Sequence, residues 1–156
     1  MILDSLILQS KLFLTEDMDI EIENIVQDNK STALNLKSHT AMIGIGGELN
    51  MMVVISFETS MLNKLVEVFL QGEALAPEEE EEIKESVTGE VINTLIGLAI
   101  PTFPKRGKGV TITPPISISD ASNIKKNKDS KILTANIKTY YGEFSISVII
   151  AKDVLK

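Results

Sequence analysis

The hydrophobic and polar residues of this chain follow two periods, one typical of β-strands and the other of α-helices. Residues 40–45 and 51–57 are rich in apolar and β-branched side chains, and Gly46 and Gly47 predict a turn between two strands. Tyr141-Gly142 predicts the turn of a second strand pair near the end of the chain. The apolar residues of that pair alternate with polar ones: Leu133, Ala135, Ile137, Phe144, Ile146, Val148 and Ile150.

Two segments between these strand pairs have apolar residues spaced by three and four. The first predicted helix is capped by Thr59-Ser60 and ended by Gly72. Its apolar residues are Met61, Leu62, Leu65, Val66 and Phe69. The second predicted helix begins after Pro77 and runs to about residue 100, where Pro101 ends it.

Residues 1–36 have a mixed pattern. Leu3, Leu6 and Ile7 have helical spacing, whereas the apolar residues of 18–22 alternate with acidic ones as in a strand. We therefore predict a short N-terminal helix followed by an extended segment. This order of elements predicts an α+β fold in a single domain of residues 1–156, with two long helices packed on a mostly antiparallel sheet.

When the residues of the second long helix are placed around its axis at about 100° per residue, they separate into an apolar and a polar side. The apolar side, which we expect to face the core, consists of Thr88, Val91, Ile92, Leu95 and Ala99. Four other residues fall within roughly 60° of each other on the opposite side: Ser86, Glu90, Asn93 and Gly97. We call these four residues the polar stripe, and we expect them to face solvent or a partner.

Two residues of the polar stripe are unfavourable in a helix. The amide of Asn93 competes with the backbone for hydrogen bonds. Gly97 costs about 1 kcal/mol relative to alanine in a helix interior. A glycine at this position indicates either the close approach of a partner or close packing against another element of the same chain.

The composition excludes several kinds of site. The chain has no cysteine, which excludes disulfides, iron–sulfur clusters and thiolate nucleophiles. The chain has one histidine, His39, which excludes a multi-histidine metal site. It has one arginine, Arg106, which leaves little capacity for bidentate recognition of bases or phosphates. The glutamates at 78–82 begin a helix, where consecutive side chains point in different directions. We therefore predict no metal site and no nucleic-acid partner.

The net charge of −7 is unevenly distributed. Residues 1–104 carry five basic and 18 acidic side chains, whereas residues 105–138 carry eight basic and two acidic ones. The basic segment, with Lys125, Lys126 and Lys128, is either a solvated loop or a contact for an acidic partner. We find neither a basic leader nor an apolar membrane span, and so expect no membrane partner and a cytoplasmic location.

Residues 86–93 read Ser-Val-Thr-Gly-Glu-Val-Ile-Asn, with Gly97 four positions further on. This segment resembles the S-x-x-x-E-x-x-N signature of the CheC/CheX/FliY chemotaxis phosphatases. Two flanking segments agree with the family: 43–47 (Ile-Gly-Ile-Gly-Gly) with the strand that ends at Phe57, and 109–115 (Gly-Val-Thr-Ile-Thr-Pro-Pro). Their order and spacing match CheX best and cover roughly residues 38–120.

The number of motif copies also favours CheX. CheC-type members carry the E-x-x-N element on both long helices. In this chain the first helix has Asn63 and Glu67 in the reverse order, so that the second copy is absent. The resemblance also implies a long N-terminal helix, of which residues 1–36 show no clear trace.

The resemblance implies a phosphatase that acts on the phospho-aspartate of a CheY-type response regulator. Asn93 would orient the attacking water, and Glu90 would pair with a lysine of the regulator and fix the docking. Ser86 matches the first motif position in a supporting role, and Gly97 belongs to the expected regulator-binding face. The regulator would hold the Mg²⁺, so we expect this chain to bind no cofactor.

Two other functions are compatible with the sequence. The related motor-switch proteins suggest a non-catalytic module that binds a regulator, although the presence of both Glu90 and Asn93 argues against it. A small-molecule enzyme would have His39 as its one candidate general base, and the glycines at 44–47 lead into a strand and not into a phosphate-binding helix. CheX relatives form homodimers, so we expect one here, through sheet edges or the N-terminal region.

Overall fold

The computed structural model describes residues 2–31, 33–34, 36–47, 50–73, 76–119, 124–125 and 130–151. Within these residues the α-helices are α1 (Ile2–Leu12), α2 (Thr59–Leu70) and α3 (Glu80–Ala99). The strands are β1 (Ile22–Ser31), β2 (Ala33–Leu34), β3 (His39–Gly47), β4 (Met51–Phe57), β5 (Val110–Ile112), β6 (Ile116–Ser119), β7 (Ile124–Lys125), β8 (Ser130–Thr139) and β9 (Gly142–Ala151). Buried side chains of all three helices and of alternate strand positions form one hydrophobic cluster, so the helices cover one face of the sheet.

The strands of the described residues form a seven-stranded antiparallel sheet and a separate ribbon of β2 and β7. The sheet has the order β1-β8-β9-β4-β3, and the other side of β3 pairs with both β5 and β6. Pro114 and Pro115 separate β5 from β6, because a proline has no N–H to donate to a strand ladder. The predicted α+β fold with a mostly antiparallel sheet is therefore confirmed.

The N-terminal helix is longer than predicted. A π-helical turn over Phe13–Asp17 continues α1, and the two elements bury residues at helical spacing: Leu3, Leu6, Ile7, Ser10, Phe13 and Leu14. Ser10 hides this pattern in the sequence, because it is polar but fully buried. Its hydroxyl donates a 2.7 Å hydrogen bond to the carbonyl of Leu6, so that it occupies a core position without an unsatisfied polar group. The extended segment that follows is confirmed as β1.

The predicted cap of α2 is wrong by one residue. The residue at the N-cap is Glu58, in extended backbone conformation, and it makes no side-chain capping bond. Thr59 and Ser60 lie inside the first turn. The Glu58 carboxylate instead accepts a 2.5 Å hydrogen bond from the backbone N–H of Glu143, which ties the start of α2 to β9. At the other end the helix stops one residue earlier than predicted, because it ends at Leu70 and Gln71, at φ 53°, takes the left-handed C-cap position ahead of Gly72.

The turn between β8 and β9 lies one residue earlier than predicted. Tyr140 and Tyr141 form the two-residue loop, and Gly142 is already paired with Thr139 in the ladder. A Cβ atom on Gly142 would lie 2.6 Å from the hydroxyl oxygen of Ser60. The glycine is therefore needed for the close approach of α2 to the hairpin, in addition to its positive φ of 132°.

Candidate functional site

The helix that carries the polar stripe lies between two short 3-10 turns and is held at its C-terminal end. A 3-10 turn over Pro77–Glu79 leads into α3, and a second one over Ile100–Thr102 follows it. The next residue, Phe103, is buried and donates its backbone N–H to the carbonyl of Ile100 at 3.0 Å. Gly107, at φ 76°, lies so close to Ile100 that an added Cβ would be 2.4 Å from its Cγ2. These contacts fix the C-terminal end of the helix against the chain that follows.

The inner side of α3 is buried as predicted. All five residues expected to face the core are at most 2% exposed: Thr88, Val91, Ile92, Leu95 and Ala99. Thr88 satisfies its hydroxyl by donating a 2.7 Å hydrogen bond to the carbonyl of Lys84. Val87, Gly89 and Ile96 are buried as well, so the buried sector is wider than predicted. The helix packs against α1, α2 and β3, which makes it a rigid support for its outer side.

The polar stripe faces outward, as predicted. Ser86, Glu90, Asn93 and Gly97 are all exposed, and their spacings of four, three and four residues place them on consecutive turns of one helix face. The structure therefore brings together all four of the residues singled out in the sequence. They form a convex ridge that offers a hydroxyl, a carboxylate and an amide, followed by bare backbone.

A cavity of about 230 Å³ lies between α2 and α3 and was not predicted from the sequence. Its described lining consists of Asn63, Val66, Glu80 and Lys84, so no residue of the polar stripe contributes to it. The Lys84 ammonium is paired with the carboxylate of Glu81 at 3.7 Å. No sequence signal identifies such a cavity, because its existence depends on how two helices pack and not on either helix alone. The polar stripe itself thus lies on a ridge outside this cavity.

The remaining sequence candidates lie away from the polar stripe. His39 begins β3 and is half-buried opposite Phe57 of β4, which confirms the expectation of a strand residue. Among the described residues no group of three or more His, Asp or Glu side chains is arranged to hold a metal ion. No helix of the described residues is long and apolar enough to cross a membrane. Lys126 and Lys128 of the basic segment lie outside the described residues.

The α+β fold and the exposed E-x-x-N helix are those expected of a CheC/CheX-type domain, and comparisons with known proteins agree with that expectation. The chain resembles a chemotaxis protein CheX from Desulfovibrio desulfuricans at 18% identity, with a TM-score of 0.78 and 96% of this chain and 98% of that chain covered. It also resembles a putative chemotaxis protein from Desulfovibrio vulgaris Hildenborough at 21% identity and a TM-score of 0.80, with 94% of each chain covered. A third structure is the CheX-CheY-BeF₃-Mg²⁺ complex from Borrelia burgdorferi, at 19% identity and a TM-score of 0.75, with 96% of this chain and 97% of that chain covered.

The family is shown by the sequence itself. The family model described as chemotaxis phosphatase CheX matches residues 39–138, which is well over half of the chain and includes all of α3. The chain therefore belongs to the CheX family of chemotaxis phosphatases. A search of curated proteins gives no match.

Proposed function

We propose that this protein is a phosphatase that hydrolyses the phospho-aspartate of a CheY-type response regulator. The observation that carries the proposal is the exposure of Glu90 and Asn93 on one face of the firmly packed helix α3. Membership of the CheX family supports it, as does the similarity to a CheX that is complexed with CheY, BeF₃ and Mg²⁺. A convex site suits a substrate that is itself concave, because the partner then supplies the walls of the reaction pocket.

Asn93 orients the water that attacks the phosphoryl group. An acyl phosphate is already reactive, and its loose transition state needs an attacking water in line with the leaving oxygen more than it needs a strong base. The carboxamide of Asn93 offers a donor and an acceptor, so it can orient a water without changing its own charge near neutral pH. The Mg²⁺ that neutralises the phosphoryl oxygens would be held by the regulator, and this chain contributes orientation alone.

Glu90 fixes the position in which the regulator docks. It lies three residues before Asn93 on the same exposed face, so a contact at its carboxylate sets the distance at which the amide enters the partner. The group that it pairs with is a lysine beside the phosphorylated aspartate. Ser86 lies one turn earlier on the same face and supports the contact, and Gly97 lies one turn later.

We predict that Glu90→Ala weakens binding of the regulator about 30-fold, which corresponds to about 2 kcal/mol. The loss arises because the lysine of the regulator is left buried without its counter-charge. Isothermal titration of the regulator activated with beryllofluoride and Mg²⁺ measures the dissociation constant. Glu67→Ala on α2 is the matched control, since Glu67 is also an exposed helical glutamate and its carboxylate pairs with Lys64 of the same helix at 3.5 Å. Equal affinity of wild type and Glu90→Ala would remove the docking role.

Turnover separates a phosphatase from a non-catalytic regulator-binding module. With phosphorylated regulator in large molar excess, a phosphatase consumes all of it, whereas a binding module changes the decay of a stoichiometric fraction at most. We expect complete consumption, because both Glu90 and Asn93 are present and exposed. No observation on the described residues favours a small-molecule enzyme, since His39 lies in a strand away from the polar stripe.

We also propose that the chain forms a homodimer through a sheet edge or its N-terminal region. One edge of the sheet is β1, where Val26 is 54% exposed, and the other is formed by β5 and β6. Unpaired edges and exposed apolar side chains favour association. Light scattering after size exclusion is expected to give twice the mass of the chain, and a monomer at high micromolar concentration would contradict this expectation.

A further inference from the structure

Gly97 is a glycine that the fold of this chain does not require. It lies inside α3 without a positive φ, so no special backbone conformation calls for it. No heavy atom of the described residues comes within 4 Å of a Cβ atom built at this position, apart from the helix's own neighbouring backbone. Close packing within the chain, the alternative left open by the sequence, is therefore excluded for the described residues. The glycine nevertheless lowers the stability of the helix.

Other glycines of the chain have evident structural reasons. Gly107 has a positive φ and lies against Ile100, and Gly142 has a positive φ and lies against Ser60. Gly72 is in open space, like Gly97, but its φ of 84° favours glycine by itself. Gly89, the other glycine of α3, is buried. Gly97 is set apart from these four by its combination of helical backbone, exposure and empty surroundings.

The empty space at Gly97 lies beside Asn93, where a partner must approach the helix. Residues four apart are neighbours on a helix face, so Gly97 is the next residue along the ridge from Asn93. Asparagine has a short side chain, and its amide reaches into a partner's pocket only if the rim of that pocket comes close to the helix backbone. Any side chain at position 97 would project beside Asn93 and would hold the rim away.

We propose that Gly97 is the point of closest approach between α3 and its partner. A main-chain segment at the rim of the partner's phosphorylation pocket lies against the bare Cα of Gly97 while Asn93 enters the pocket. This inference rests on the proposed function, because it takes the partner to be the phosphorylated response regulator. Beyond that function, we infer that the partner contacts the helix through its main chain at Gly97, and that Gly97 lowers the stability of the unbound protein.

The test compares Gly97→Ala and Gly97→Leu with wild type in stability and in regulator binding. Both substitutions introduce good helix formers in open space, so the melting temperature is expected to rise by about 3 °C. Binding of the regulator loaded with beryllofluoride and Mg²⁺ is expected to weaken about tenfold for Gly97→Ala and about 100-fold for Gly97→Leu. KM should rise with these variants more than kcat falls, since the reacting groups are unchanged.

Gly72→Ala is the matched control, because it also adds one methyl group to an exposed glycine with empty surroundings. Its positive φ predicts the opposite outcome, a lower melting temperature with unchanged regulator binding. A destabilised Gly97→Ala would show that the fold needs the glycine and would overturn the inference. Tight binding by Gly97→Leu would overturn it too, while turnover by the wild type in the same experiment would leave the proposed phosphatase intact. If the wild type bound the regulator without turnover, only the assignment of phosphatase activity would be overturned.

Discussion

Asn93→Ala is expected to lower the catalysed rate of regulator dephosphorylation by about 100- to 1,000-fold, which is the usual loss when one precisely placed polar group is removed from a reaction. The amide lies on an exposed turn of a helix whose inner side is buried, so truncation leaves the backbone and the fold in place. The regulator's Mg²⁺ and its own aspartyl phosphate remain, and hydrolysis falls back toward the rate of the regulator alone. Binding should change far less than rate, because Glu90 is retained.

The decay of phosphorylated regulator, followed with the protein at substoichiometric concentration, measures this loss. Asn63→Ala is the matched control, since Asn63 is also an exposed asparagine on a helix but belongs to α2 and to a reversed element. We expect Asn63→Ala to retain the wild-type rate. Unchanged acceleration by Asn93→Ala would remove the water-positioning role and leave the protein a phosphatase of some other mechanism.

Phe144→Ala is expected to reduce the free energy of unfolding by about 3–5 kcal/mol. Phe144 is 2% exposed, and its ring stacks on that of Phe57 at 5.4 Å between centroids. The two residues lie directly opposite each other on β4 and β9, in the middle of the sheet order. Removal of one ring leaves a cavity that its strand neighbours cannot close, because both strands are paired on either side.

Urea unfolding followed by circular dichroism measures this change. Tyr140→Ala is the control, because Tyr140 belongs to the turn that precedes β9 and is 82% exposed. Its loss should change the unfolding free energy by less than about 0.5 kcal/mol, as is usual for surface positions. If both variants lost the same free energy, the Phe57–Phe144 pair would not be a centre of the core.

The sequence predicted the structure best where apolar residues follow a single helical period between a clear start signal and a clear stop signal. For α3 the apolar spacing, Pro77 at the start and Pro101 at the end predicted the bounds, the buried side and the exposed side. The polar stripe could be predicted for the same reason, since its members are fixed by the helix period alone. Its assignment to a regulator came from the family resemblance, because periodicity does not identify a partner.

Features that depend on contacts between elements could not be predicted. Ser10 looks like an interruption of the apolar pattern, because its burial depends on the elements that pack against α1. Thr59 and Ser60 have the residue types of helix caps, but Glu58 takes the N-cap position and bonds to the neighbouring hairpin. The shift of the last turn has a similar cause, because β9 must approach α2 closely at its first residue.

The convex shape of the polar stripe has a consequence for what can inhibit such a protein. A ridge encloses no volume, so it offers orthophosphate and phosphate mimics no place to remain after the reaction. Orthophosphate would then leave from the pocket of the regulator, and separation of the two proteins would end each catalytic cycle. Competition would come from macromolecules that cover the ridge, and the choice of substrate would depend on the surface of α3 rather than on the chemistry of a phosphate pocket.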